Sequence, residues 1–229
     1  MKVCASMLSA DPTRLGEQLL AVTHAGADAV HWDIMDGNYV DAITFGAHIV
    51  KHHRKLTDIP FEIHLMVTNP DAQIAAFVDA GADLIIVHPE TCPHLHRSLG
   101  RIKNFGKRAG IALNPSTSPD FIDYCRDVLD MVLVMTVNPG SAGQGFLNLQ
   151  LEKISIVKKK LPPEMEIAVD GGINAVSAAS CRRSGANSCV TGTFLFGGND
   201  YAAAIQSLAL DFFPNKDISR MTSESKIQV

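Results

Sequence analysis

Eight times along the chain a short apolar run of strand length is followed by a longer segment of helical period, and no other feature restricts the fold as strongly. The strand-like runs cover residues 3–8, 29–34, 61–66, 84–87, 110–113, 131–135, 166–169 and 188–191. The helical segments that follow them cover 15–23, 47–56, 70–80, 95–105, 119–128, 149–160, 175–184 and 201–210.

Eight sequential strand-helix units with right-handed crossovers either close into a barrel or lie open as a doubly wound sheet. The even count and a length of 229 residues favour closure, so the expected fold is α/β, a single (β/α)₈ TIM barrel with a closed eight-stranded parallel sheet. An internal echo supports the count. Ala25-Gly26-Ala27-Asp28, Ala80-Gly81-Ala82-Asp83 and Ser184-Gly185-Ala186-Asn187 each fall between a helical segment and the next strand, where a glycine ends a helix in the left-handed conformation. The barrel is expected over residues 1–213. The polar stretch 214–229, rich in Ser, Thr, Lys and Glu, reads as a frayed tail.

A hydrophobic fraction of 46% suits one sizeable core, and a net charge of -4 provides no field for nucleic acid or an anionic membrane. An anionic ligand must therefore be held by a local device. The five cysteines are scattered and lack CxxC spacing, which argues against a disulfide framework or a thiolate zinc site. No apolar run approaches membrane-spanning length, and the first residues enter a strand without a secretory pattern. The expectation is a cytoplasmic enzyme acting on a small molecule, with no nucleic-acid or membrane partner.

In a parallel barrel the chemistry sits at the C-terminal ends of the strands. On the second strand His31 and Asp33 are two apart, so both point the same way while Trp32 points oppositely. The third strand carries His64 inside an apolar run, and the seventh ends in Asp170-Gly171-Gly172. Any one of these alone could be a locally satisfied hydrogen-bonding residue. Together they would bury imidazoles and carboxylates at one mouth, which is costly unless they pair or bind metal. Two nitrogens and two carboxylates suit one borderline divalent ion, Zn²⁺ foremost, or Fe²⁺, Mn²⁺ or Co²⁺. His24, His52, His53, His94 and His96 fall on helical or loop segments and read as solvated or capping residues.

Glycine-bearing loops follow the last three strands: Gly140-Ser141-Ala142-Gly143, Gly171-Gly172 and Gly192-Thr193. Loops of this kind expose backbone N–H groups that cradle a phosphate, and in barrels that site commonly lies after strands seven and eight. Tight turns alone would need glycine too, but three such loops in succession favour phosphate.

The chain resembles the ribulose-phosphate 3-epimerase family through His31-Trp32-Asp33-Ile34-Met35-Asp36-Gly37, His64-Leu65-Met66-Val67, His88-Pro89-Glu90, Leu113-Asn114-Pro115, Val134-Met135-Thr136-Val137-Asn138-Pro139-Gly140 and Val169-Asp170-Gly171-Gly172. The resemblance implies that His31, Asp33, His64 and Asp170 bind the metal and that Asp33 and Asp170 are the two acid/base catalysts. It places Ser6 and His64 at the substrate and Gly140, Ser141, Ala142, Gly143, Gly171, Gly172, Gly192 and Thr193 at its phosphate. Met35, Met66 and Met135 match methionines that flank the reacting carbons. It implies interconversion of D-ribulose 5-phosphate and D-xylulose 5-phosphate, and a homo-oligomer.

The chain departs from the family in reading Asn38-Tyr39-Val40-Asp41-Ala42 where His-Phe-Val-Pro-Asn is usual, Ala5 for a proline, and Ser141-Ala142 for Phe-Gly. These departures motivate an alternative substrate such as D-allulose 6-phosphate. A non-catalytic sugar-phosphate-binding barrel and a metal-dependent hydrolase are the competing classes. The first would not need both aspartates, and the second would not need two carboxylates across a planar intermediate.

Overall fold

The computed structural model describes residues 1–210; the expectations for 211–213 and for the tail 214–229 lie outside the described residues. Eight strands form the sheet: β1 (Lys2–Ser6), β2 (Ala29–Met35), β3 (Phe61–Met66), β4 (Leu84–Val87), β5 (Arg108–Leu113), β6 (Met131–Met135), β7 (Glu166–Asp170) and β8 (Ser188–Thr191). All neighbours pair in parallel in sequence order, and β1 pairs with β8 from Lys2↔Ser188 to Ala5↔Thr191, so the sheet is a closed barrel. Closure leaves no sheet edge to protect, and the open doubly wound alternative is excluded.

Around the sheet lie α1 (Leu15–His24), α2 (Ala47–His53), α3 (Pro70–Asp79), α4 (Leu95–Asn104), α5 (Gln150–Lys160), α6 (Ala175–Ser184), a short α7 (Thr193–Phe196) and α8 (Tyr201–Ala209). The expected helix over 119–128 is instead a 3₁₀ helix, Pro119–Tyr124. Its only buried residue is Ile122, while Phe121 and Tyr124 stay exposed. Over 119–128 only Ile122 and Cys125 are buried, too few to anchor a full α-helical face, because short helices draw their stability from packing.

The period of two divides each strand's side chains between two cores. Outward residues such as Trp32, Phe61, Ile63, Ile85 and Val132 pack with the helices in the larger core. Inward residues Cys4, Ala29, Leu84, Ile86, Ala112, Met131, Leu133, Met135, Ala168 and Val190 fill the barrel. All five cysteines are buried and free, as their scatter suggests. At the strand starts the barrel interior is closed by ions: Glu166 accepts from Lys2 at 3.1 Å and from Arg108 at 2.6 Å.

The sequence echo turns out to set strand register. Gly26, Gly81 and Gly185 all have positive φ, at 94°, 97° and 117°. The residue two positions on then caps the preceding strand: Asp28 accepts from the Val3 amide at 2.8 Å, Asp83 from Phe61 at 2.8 Å, and Asn187 from Ile167 at 2.9 Å. Asp130 does the same for Ala109 at 2.8 Å, without a glycine before it. A slip of one residue would turn every inward side chain outward, so these clamps protect the functional residues at the other end of the same strands.

Candidate active site

Strand alternation and register bring the four expected residues together. His31 and Asp33 point into the barrel from β2, and Asp33 pairs with His64 across the β2–β3 ladder. Asp170 ends β7 beside Met135. His31 and His64 are fully buried and Asp33 is 3% exposed. One ligand atom from each of His31, Asp33, His64 and Asp170 lies within 4.8 Å of the others. His64 Nδ1 is 3.1 Å from Asp33 Oδ1 and 3.9 Å from Asp170 Oδ2, and His31 Nε2 is 3.4 Å from Asp33 Oδ1. Ser6, expected at the substrate, donates its hydroxyl to Asp33 Oδ2 at 2.7 Å.

The donor set fits a divalent ion. His31 Nε2 is buried without a hydrogen-bond partner, facing the cluster, while its Nδ1 is engaged with Glu62 Oε2 at 3.2 Å. A carboxylate behind one imidazole nitrogen, with the other left open, is the usual support of a metal-binding histidine.

Electrostatics separate the two aspartates. Burial alone would raise both, but the close His31 charge and the hydrogen bond from His64 hold Asp33 well below the usual carboxylate range. Asp170 is pushed up to about 7 by burial and then by the Asp33 charge, against the opposing pull of His31. Two like charges about 5 Å apart repel by roughly 3 kcal/mol at an effective dielectric constant near 20, enough to keep one of them protonated. Burial lowers His64 to about 4, so it is neutral, whereas His31 is raised well above 6.5 by Asp33 and Glu62 despite its burial.

A cavity of about 380 Å³ opens from this cluster. Ser6, Asp33 and Asp170 line one end, with Met35, Met66 and Met135 as apolar walls. The expected phosphate residues Gly140, Ser141, Ala142, Gly143, Gly171, Gly172, Gly192 and Thr193 all line it as well. His31 and His64 lie behind the wall, buried, so His64 meets the cavity through the cluster rather than by lining it. No Lys, Arg or His among the described residues lines the cavity, so an anion there depends on neutral donors, backbone N–H groups together with side chains such as Ser9, Ser141, Asn174 and Thr193. Glycine is needed at 172, where φ is +65° and a Cβ would stand 2.8 Å from the Phe146 backbone nitrogen.

None of the departing residues 38–42 lines the cavity; the segment lies beside its Gly140 loop. Val40 packs against Gly140, and the Tyr39 hydroxyl accepts from Asn114 Nδ2 at 2.7 Å while its ring lies 4.9 Å from that of His88. Asp36 anchors this loop, accepting from the Thr68 amide at 2.9 Å and from the Asn38 and Tyr39 amides, each at 2.9 Å.

Three residues of the site were given no role from the sequence, although His88 and Thr136 stand in the motifs that carry the resemblance. Glu62 supports His31, His88 Nε2 lies 2.9 Å from His64 Nε2, and the Thr136 hydroxyl donates to the Asp170 and Gly171 carbonyls at 2.9 and 2.6 Å. The alternation that pairs His31 with Asp33 also puts Glu62 beside His64's face and His88 in line with Leu84 and Ile86. That signal was available for both. Alternation gives no such signal for Thr136, which follows the end of β6.

A sequence profile of the ribulose-phosphate 3 epimerase family matches residues 2–196. A ribulose-phosphate 3-epimerase of Bacillus subtilis (strain 168) is 45% identical over 212 residues, covering 91% of this chain and 98% of its own. The chloroplastic ribulose-5-phosphate-3-epimerase of Arabidopsis thaliana is 43% identical, covering 90% of this chain and 75% of its own. Among solved structures, orotidine 5'-phosphate decarboxylase from Pyrococcus horikoshii OT3 superposes with a TM-score of 0.68 at 13% identity over 90% of this chain and 97% of its own, a likeness of fold alone. Ordered motifs on one closed barrel, together with identity above 40% along nearly the whole length, place the chain in the ribulose-phosphate 3-epimerase family.

Proposed function

We propose that the chain is a metal-dependent ketose-phosphate 3-epimerase that interconverts D-ribulose 5-phosphate and D-xylulose 5-phosphate. One observation carries this reading beyond family membership: a buried and a partly buried carboxylate of opposite protonation preference face one cavity whose other end is built of glycine loops. Environments that push paired titratable groups apart assign the base and the acid.

Asp33, ionised and oriented by Ser6 and His64, removes the C3 proton from one face of the sugar. Asp170 holds a proton near neutral pH and delivers it to the opposite face of the planar enediolate; in the reverse direction the roles exchange. A divalent ion held by His31 Nε2, Asp33, His64 Nδ1 and Asp170, Zn²⁺ foremost, would supply Lewis acidity toward the developing negative charge. Met35, Met66 and Met135 keep the reacting carbons in an apolar setting that disfavours exchange of the enediolate with bulk water. The glycine loops fix the phosphate, and with it the distance from phosphate to C3.

Incubation of metal-loaded protein with ribulose 5-phosphate in D₂O is expected to yield xylulose 5-phosphate carrying deuterium at C3, with slower exchange into allulose 6-phosphate. Absence of exchange with both would sink the epimerase reading. Gly172→Ala tests the phosphate end. A Cβ there collides with backbone, so the loop carrying Phe146 must move. We expect KM for the sugar phosphate to rise by about tenfold or more, with a smaller change in kcat, because the lost binding is away from the reacting carbon. An unchanged KM in steady-state assays would place the phosphate elsewhere.

A further inference from the structure

Resting on the metal reading above, we infer that His88, oriented by Glu90, is a positioning residue that holds His64 in the one tautomer able to bind the ion. The two ring nitrogens of His64 face different partners. Nδ1 faces the cluster, 3.1 Å from Asp33 and 3.9 Å from Asp170, and Nε2 faces only His88 Nε2, at 2.9 Å. A metal ligand must offer a lone pair, so with an ion bound Nδ1 is bare and the proton sits on Nε2. That N–H is fully buried, and His88 Nε2 is the acceptor within reach.

The requirement then passes outward. If His88 Nε2 accepts, its own proton must sit on Nδ1, an atom buried without a hydrogen-bond partner. Glu90 Oε2 lies 3.7 Å from that nitrogen, too long for a hydrogen bond but close enough for its charge to favour a proton there over a lone pair. Glu90 is itself held by Asn114 at 3.0 Å and by the Thr117 hydroxyl. Tyr39 packs against the His88 ring, 4.9 Å between ring centroids, and the His64 ring meets it edge to edge through the two Nε2 atoms, the planes inclined by 26°.

Without an ion a competing arrangement satisfies the same distances: His88 donates from Nε2 to His64, and His64 donates from Nδ1 to Asp33. This arrangement places a His88 lone pair against the Glu90 carboxylate. Glu90 thus biases the pair toward the ion-binding tautomer, while Glu62 does the same work for His31 by a direct contact.

The test compares wild type, His88→Leu and His88→Gln for Zn²⁺ and Co²⁺ affinity by chelator competition, alongside circular dichroism and ring nitrogen-15 spectra of the zinc-loaded protein. His88→Leu leaves the His64 N–H without an acceptor and is expected to weaken metal binding by about 10–100-fold. His88→Gln keeps a carbonyl oxygen that can accept, and is expected to stay within about threefold of wild type. The spectra of wild type are expected to show His64 protonated on Nε2 and His88 on Nδ1. Wild-type affinity in a folded His88→Leu protein, or a His88 proton on Nε2 in the zinc-loaded wild type, would overturn the inference while leaving the metal site intact. Failure of wild type to bind any divalent ion would instead remove the metal reading on which it stands. If His88→Leu does not fold, the nitrogen spectra of wild type decide alone.

Discussion

Asp170→Asn is expected to lower epimerisation in both directions by at least about 10²–10⁴-fold, the usual share of a positioned acid or base. The substitution keeps shape, and its backbone carbonyl remains fixed by the Thr136 amide at 2.7 Å, so folding should survive. What is lost is a carboxyl group that burial and the Asp33 charge hold near pH 7, able to give and take a proton. The asymmetry of the remaining site makes the result diagnostic. Asp33 can still remove and return a proton on its own face, so residual C3 deuterium exchange should persist in one epimer and vanish in the other, read by NMR of the two sugars in D₂O. Asp33→Asn should lose turnover to at least the same degree, because Asp33 also anchors the Ser6 hydroxyl and the His64 ring. Near-normal turnover of the Asp170 variant in both directions would remove its assigned role.

Removal of the metal by a strong chelator is expected to reduce kcat by about 10³-fold or more, since Lewis-acid stabilisation is worth several kcal/mol. Readdition of Zn²⁺ or Co²⁺ should restore it. The pH dependence of reloading follows from the protons that metal-free protein holds. Asp170 stays protonated up to about pH 7, and His31, raised by Asp33 and Glu62, keeps its proton at neutral pH. The His31 proton on the ligating nitrogen must be displaced, because an imidazole ligand offers a lone pair, whereas Asp170 can ligate through one carboxyl oxygen and keep on the other the proton that catalysis uses. Lowering the pH adds protons to displace and weakens binding, so affinity should climb as pH rises through 7, by about one decade per pH unit for each proton released. Competition titrations at pH 6, 7 and 8 would show it; a flat profile would mean that the cluster is not the binding site, or that His31 is already neutral without the ion.

The barrel and the members of its site were legible because both rest on local periodicity. Alternation along 29–34 is enough to say that His31 and Asp33 share a face and that Trp32 does not, and the apolar run before Asp170 puts a carboxylate at a strand end. The small motifs that echo around Gly26, Gly81 and Gly185 are likewise local, since a helix end and a strand start are neighbours in the chain. The resemblance added the reaction, which no periodicity contains.

The 3₁₀ segment Pro119–Tyr124 shows where local pattern fails: a helical period that buries little beyond Ile122 and Cys125 is overruled by packing. The second layer of the site shows the same limit from the other side. Glu62 and His88 stand at inward positions that the sequence displays, yet their pairing with His31 and His64 depends on which strands lie side by side and in what register. Closure of β8 onto β1 is what brings Asp170 on β7 within reach of His64 on β3 and fixes its high pKa beside Asp33. By itself, then, the sequence determined which side chains point inward, because alternation is a property of a single strand. Which of them meet, and how their charges divide, was decided by the tertiary structure, because register, closure and burial act between strands far apart in the chain.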